Sequence, residues 1–263
     1  MKYKIIKNFL NNKQTEELIK DAEINSDTLK YQKIHNNRLF LTCSNSEFHN
    51  LCKKSIVWNE LKKKFASEDF FKFCCDSLNI DYKNFIIQNH FKNSKNNKLD
   101  KIMKYLSSKQ LKILNASTII KFLIVRLFNR TLRKIKFSKL FFPFKKPVEL
   151  LYDYSVAGNG YMREIHRDSD NRIIVFLLYL NSLESGAKGG NLEIFKLKNN
   201  IKLSTAKPLK EECDIIETLN PEAGKLVIFQ NGDDSFHSVS KIENAEKKRH
   251  FIYGGFTLLS DKN

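Results

Sequence analysis

The sequence predicts an α+β fold with a mainly β core, and three observations carry that expectation. From Glu149 onward the chain breaks into short apolar runs separated by Gly, Asn and Pro; before residue 80, bulky apolar residues recur at helical spacing. The third is the 41% apolar content over 263 residues, which can bury one large core or two small ones and excludes a disordered tail or collagen-like rod.

In chain order, residues 2–10 alternate and are rich in Ile, Tyr and Phe, which predicts a strand. Asn11 and Asn12 then introduce Gln14-Thr-Glu-Glu-Leu-Ile-Lys-Asp-Ala, a helix with acids in its first turn. Arg38-Leu-Phe-Leu-Thr42 is a short strand. Between Ser55 and Leu78, Trp58, Leu61, Phe65, Phe70, Phe71 and Phe73 predict one or two helices. Eight strands follow in the second half: Leu150–Val156, Tyr161–His166, Arg172–Leu180, Asn191–Leu197, Ile215–Leu219, Lys225–Phe229, Phe236–Ser240 and Arg249–Leu258. Short strands at regular spacing point to a sandwich or barrel. The chain thus divides into a helical support, residues 1–148, and a β domain, residues 149–263.

The net charge of +17 is concentrated in one place. Residues 92–146 hold 16 Lys or Arg against one acid, Asp100, leaving 30 basic and 28 acidic residues for the rest of the chain. Within that segment Ile119, Leu123, Leu127 and neighbours form an apolar stripe, with Lys121, Arg126, Arg130, Arg133 and Lys134 off it, predicting a basic amphipathic helix. Such a helix either packs its stripe on the core and solvates its charges, or meets a polyanion or an anionic membrane surface in a salt-sensitive way. No uncharged apolar run approaches the ~20 residues of a membrane-spanning helix; Phe122–Val125 is closed in by Lys121 and Arg126. Residues 1–10 lack an apolar core and cleavage site of the secretory kind, so a cytoplasmic protein is expected. Five cysteines, Cys43, Cys52, Cys74, Cys75 and Cys213, with no Cys-x-x-Cys pair, suggest reduced thiols rather than a disulfide framework or a thiolate zinc site.

The residues that carry chemistry begin with His166-Arg-Asp168. On a strand, i and i+2 share a face, so imidazole and carboxylate project together as two metal ligands, with Asp170 a second carboxylate on that face if the strand continues. A third ligand, His237, fits if another strand of the same sandwich brings it alongside. Two His and one carboxylate leave three positions of a metal open, the arrangement of non-haem Fe(II) oxygen chemistry. His35, His49 and His90 have no such companions, and His250 should point opposite to Arg249; all four read as structural. Arg249 opens a strand beyond a turn, and a buried guanidinium needs an anion. Tyr179, inside the apolar run Ile173–Leu180, likewise seeks a partner for its hydroxyl. A small dicarboxylate would satisfy both.

The segments Tyr154-Ser-Val-Ala-Gly-Asn-Gly-Tyr161, His166-Arg-Asp168, Phe176-Leu-Leu-Tyr-Leu-Asn181, Gly189-Gly-Asn-Leu-Glu-Ile-Phe195, Pro221-Glu-Ala-Gly-Lys-Leu-Val-Ile-Phe229, His237-Ser-Val239 and Arg249-His-Phe-Ile-Tyr253 occur in an order that resembles the Fe(II)- and 2-oxoglutarate-dependent oxygenases, in particular the prolyl 4-hydroxylase-like branch. The resemblance covers the β domain and not the basic segment, and the loops before His166 and Arg249 are slightly longer than the family's usual spacing. It implies a double-stranded β-helix, or jelly-roll, with N-terminal helical support. It further implies Fe(II) held by the catalytic ligands His166, Asp168 and His237, with 2-oxoglutarate and O2 as co-substrates, and allows ascorbate as a reductant. Arg249 and Tyr179 would bind the distal carboxylate of 2-oxoglutarate, and Tyr154 would lie near its metal-chelating end. The implied activity is hydroxylation of a protein or small-molecule substrate, peptidyl proline foremost, with succinate and CO2 released. The alternatives are a cupin-like jelly-roll with another metal chemistry, and a non-catalytic module docking on nucleic acid or membrane through the basic segment.

Overall fold

The computed structural model describes residues 1–29, 31–34, 37–87, 146–198 and 207–259. The predicted basic helix, with Lys121, Arg126, Arg130, Arg133 and Lys134, lies outside these residues, as do His35 and His90. The chain begins with β1 (Tyr3–Ile6), α1 (Asn12–Ile24), β2 (Gln32–Ile34), β3 (Arg38–Thr42), α2 (Ser46–Lys54), α3 (Ile56–Phe65) and α4 (Glu68–Ser77). It continues through β4 (Phe85–Ile87), β5 (Lys146–Ala157), β6 (Arg163–His166), β7 (Arg172–Tyr179) and β8 (Leu192–Leu197) to β9 (Cys213–Leu219), β10 (Leu226–Gln230), β11 (His237–Val239) and β12 (Arg249–Leu258). All eight strands expected in the second half are present. Residues 1–82 and 148–263 form one compact unit, and residues 83–147, to which β4 belongs, form another.

In the first unit two antiparallel sheets face each other as a jelly-roll. The larger runs β1-β10-β7-β12-β5-β3-β2 and the smaller β6-β11-β8-β9. Between them Val175, Leu177, Val227 and Phe229 of the large sheet meet Leu192, Ile194 and Val239 of the small one. The boundary drawn at residue 148 therefore does not separate a support from a core. β1 pairs β10 with Tyr3 opposite Phe229, and β3 pairs β5 with Phe40 opposite Ser155, so both N-terminal strands extend the large sheet of the second half. Unpaired edge groups of β10 and β5 find partners this way.

The helices cover the outer face of the large sheet. Asn11 caps α1 by accepting from Gln14 N at 2.9 Å, while the Gln14 side chain accepts from Asn11 N at 3.0 Å. Because the helix starts at Asn12, the expected acids Glu16 and Glu17 fall beyond its first turn. Ser55 caps α3 and Ser67 caps α4, which divides the predicted 55–78 stretch into two helices. Trp58 is fully buried, donates from Nε1 to Leu18 O at 2.8 Å and packs edge-on against Tyr154 at 4.9 Å. Phe65 and Phe70 pack on Phe176 of β7, and Phe71 on Phe256 of β12. Gly254 sits where a Cβ would lie 2.4 Å from Tyr152 Cβ and 2.7 Å from the Phe176 ring, so only glycine admits this packing. Among the described residues no helix is long and apolar enough to cross a membrane.

Candidate active site

The two sheets enclose a cavity of about 150 Å³ whose wall includes His166, Asp168, His237 and Arg249. β11 pairs β6 with His237 directly opposite His166, which brings together ligands far apart in the chain. β6 ends at His166, and Asp168 lies in the extended segment just beyond it. One ligand atom from each of the three falls within 4.8 Å of the others, with His166 Nε2 and Asp168 Oδ1 4.0 Å apart. Arg167 turns away to pair with Asp233 and with Asp170, so Asp170 is held outside the cavity.

Both imidazoles are set for ligation. His166 Nδ1 donates to Glu164 O at 2.8 Å and His237 Nδ1 to Ser235 O at 3.0 Å, which leaves each Nε2 as the lone-pair nitrogen facing the cavity. Burial, and then the neighbouring His237, lower the His166 pKa to about 4; burial also lowers that of His237, against the pull of Asp168. Neutral imidazole, the ligand form, is thereby favoured at ordinary pH. The Asp168 carboxylate is bonded by Tyr253, whose Oη lies 2.7 Å from Oδ1 and 2.8 Å from Oδ2, while Arg172 Nη1 donates to Tyr253 Oη at 2.7 Å.

Further in, Arg249 opens β12 with 1% of its surface exposed. Its Nη1 donates to Gly190 O, on a residue at φ 69° where an added Cβ would crowd the same Nη1 at 3.3 Å. Its Nε and Nη2, and the hydroxyl of Tyr179, are buried with no partner among the described residues. Burial pushes the Tyr179 phenol up to about 12 against the pull of the Arg249 charge. Three guanidinium groups alternate with three rings along this wall. Arg172 lies over Tyr253 (5.2 Å), Arg38 over Tyr253 and Phe251 (5.7 and 5.4 Å), and Arg249 over Phe251 and Tyr179 (both 4.8 Å). Arg172 has Asp168 at 3.7 Å and Arg38 has Asp153, whereas Arg249 has no carboxylate beside it among the described residues. A buried guanidinium in this state matches a small carboxylate in charge and donor geometry.

Tyr154 is not at the site, a correction to the expectation. Strand alternation puts Tyr152 and Tyr154 on the helix-facing side of β5 and Asp153, Ser155 and Ala157 on the opposite face, where Ala157 packs between the sheets and Asp153 and Ser155 bond Arg38, one residue out of phase with what the motif suggested. The Tyr154 hydroxyl pairs with His250 Nδ1 at 2.7 Å beneath Trp58. Two other residues occupy the wall without having been singled out in the sequence. Arg38 of β3 bonds Asp153 and Ser155 beside the cavity mouth, and Tyr253 stands four residues after Arg249 on the same face of β12.

A jelly-roll with two His and one Asp on one side of a cavity has the donor set of facial-triad Fe(II) oxygenases. Residues 151–255 match the 2OG-Fe(II) oxygenase superfamily. Solved structures similar to the chain include a prolyl 4-hydroxylase from Phytophthora capsici (12% identity, TM-score 0.50, covering 97% of this chain and 58% of that one). The α-ketoglutarate-dependent epimerase SnoN of nogalamycin biosynthesis (8%, 0.50, 97% and 78%) and a Pseudomonas putida prolyl-4-hydroxylase (14%, 0.44, 98% and 93%) are others. The family implies Fe(II), 2-oxoglutarate and O2. The cavity suits them: its lining holds two Nε2 lone pairs and a carboxylate together with the Arg249 guanidinium, two of whose nitrogens have no partner among the described residues.

Proposed function

We propose that the protein is a dioxygenase that hydroxylates a peptidyl proline while converting 2-oxoglutarate to succinate and CO2. The observation that carries the co-substrate half is the buried Arg249, with no anionic partner among the described residues, in the same cavity as the His-Asp-His cluster. The proline half is supported by the ordered motifs from Tyr154 to Tyr253.

His166 and His237 offer Nε2 and Asp168 one carboxylate oxygen to Fe(II), and the bound iron supplies oxygen activation. Arg249 and Tyr179 hold the distal carboxylate of 2-oxoglutarate, which fixes the co-substrate's orientation. Leu177, Leu192 and Phe229 exclude water around its carbon chain. Arg38 and Tyr161 border the remaining space, where the substrate enters.

Incubating the protein with Fe(II), 2-oxoglutarate and a library of proline-containing peptides tests this reading. Succinate release stimulated by such peptides, with one oxygen gained at proline, supports it. Stimulation by other compounds alone removes the proline assignment and keeps the dioxygenase; no succinate under any condition removes both.

The charge of residues 92–146 supports a second activity beside catalysis, docking on a polyanion or an anionic membrane without sequence selectivity. Charge reversal to Glu at Arg126, Arg130, Arg133 and Lys134 should abolish salt-sensitive binding to RNA or anionic vesicles and leave succinate formation on a soluble substrate intact. Co-sedimentation at low and high salt measures it, and a parent protein that binds neither at low salt sinks the idea.

A further inference from the structure

The three candidate ligands are not held in the same way. Strand pairing and a backbone carbonyl at each Nδ1 orient His166 and His237. Asp168 lies beyond the end of β6, where no ladder fixes its side chain. Its backbone loop is braced by Asn231, whose Nδ2 donates to Ser169 O at 2.9 Å and Arg172 O at 3.0 Å, but that leaves the carboxylate itself free to rotate.

The group that stops the rotation is a phenol from another strand. Tyr253 Oη sits between the two carboxylate oxygens, at 2.7 and 2.8 Å. Arg172 Nη1 donates to that same Oη at 2.7 Å and lies 3.7 Å from Asp168 Oδ2. A hydroxyl has one proton to give; with Arg172 donating to its oxygen, the proton is directed to the carboxylate. Building on the assignment of His166, Asp168 and His237 as the metal ligands, we infer that Tyr253, aligned by Arg172, is the positioning residue that confines Asp168 to ligation through one oxygen.

The consequence lies in the count of coordination positions. Two imidazoles and one carboxylate oxygen would fill three of the six positions of an octahedral metal. A chelating 2-oxo acid would take two more, leaving one for O2. If Asp168 rotated to offer both oxygens, only two positions would be left, and the co-substrate alone would fill them. Tyr253, seated between the two oxygens where a metal held by both would have to sit, would block that mode and leave the last position open.

Co(II), which reports its coordination in the visible spectrum, tests this without turnover. Titration into the metal-free protein, followed by absorption and calorimetry, should show Tyr253→Phe binding Co(II) about 10- to 100-fold more weakly than the parent, with altered visible bands. Arg172→Lys, which keeps the charge but loses the aligned N–H, should fall between the two. A merely structural role would lower the melting temperature of the metal-free variant and leave the Co(II) affinity and spectrum unmoved, which overturns the inference. Should Tyr253→Phe fail to fold, Arg172→Lys decides alone, weaker binding supporting and unchanged binding overturning. A parent that takes up no Co(II) overturns the metal centre and the positioning role with it, whereas a parent that binds beside unchanged variants overturns only the latter.

Discussion

Tyr154 and Tyr179 stand on strands of one sheet, each fully buried, and differ in the face they occupy. The Tyr154 hydroxyl is bonded to His250 among the aromatic rings under the helices. That of Tyr179 lies in the core between the sheets, beside Arg249, with no partner among the described residues, as do two nitrogens of Arg249. A buried hydroxyl that is bonded contributes to the fold; one left unbonded costs stability until something arrives to bond it. Burial alone does not distinguish the two, and satisfaction does.

The sharpest break between the faces comes from their largest groups. His166→Ala, Asp168→Ala or His237→Ala should each reduce succinate formation to background and leave the melting temperature of the metal-free protein nearly unchanged. Trp58→Ala should cost about 3–5 kcal/mol of stability in a denaturant titration, because it empties a core site and removes the bond to Leu18 O. Retained turnover in any of the three Ala variants would undo the ligand assignment.

Arg249→Ala comes next. Its guanidinium should contribute about 2–5 kcal/mol to 2-oxoglutarate binding, roughly 30- to several thousand-fold in the concentration required. Co(II) affinity should be nearly intact. A parent-like co-substrate titration would mean that the distal carboxylate binds elsewhere.

His250 extends the comparison to pH. Burial, and then the Lys248 charge, lower its pKa from the ordinary 6.5 to about 4. The folded state therefore favours neutral His250, so its stability is full above pH 6.5 and is lost as pH falls toward 4, by at most about 3 kcal/mol. His250→Gln should flatten that part of the stability curve of the metal-free protein, leaving the share due to His166 and His237. A curve of unchanged slope would refute this account of His250.

The smallest effects divide the two tyrosines most directly. Tyr179→Phe removes a hydroxyl that has no partner, so it should leave the fold as stable as before or slightly more so, and weaken 2-oxoglutarate binding by about 1–2 kcal/mol. Tyr154→Phe should do the reverse, costing about 1 kcal/mol of stability with co-substrate affinity unchanged. Crossed outcomes would exchange the roles assigned to the two faces.

The strands of the second half were legible because each is bounded by turn residues, and His166 with His237 because the chemistry of the pair demanded neighbouring strands. The phase of β5 was harder. Tyr152, Tyr154 and Val156 pack under the helices while Ser155 and Ala157 face the other sheet, and all five are buried, so no polar alternation marks which side is which. Tyr154 was placed one residue out of phase for that reason. Tyr253 could have been found by counting: it lies an even number of residues from Arg249 on an extended strand and therefore shares its face. α2 was missed although Phe48, Leu51 and Cys52 have helical spacing, since nine residues offer little more than two turns of pattern. The entry of β1 and β3 into the large sheet is a long-range pairing, which local patterns do not encode.

That pairing bears on how the protein is made. Tyr3 is synthesised long before its partner, Phe229. Contacts so distant in the chain close slowly and late. Until the later strands are made, β1 has no β10 to join, and α1 to α4 have no β7 and β12 on which to bury Phe70, Phe71 and Phe65. The nascent chain thus carries an apolar half waiting for its counterpart, the condition in which newly made proteins depend on chaperones.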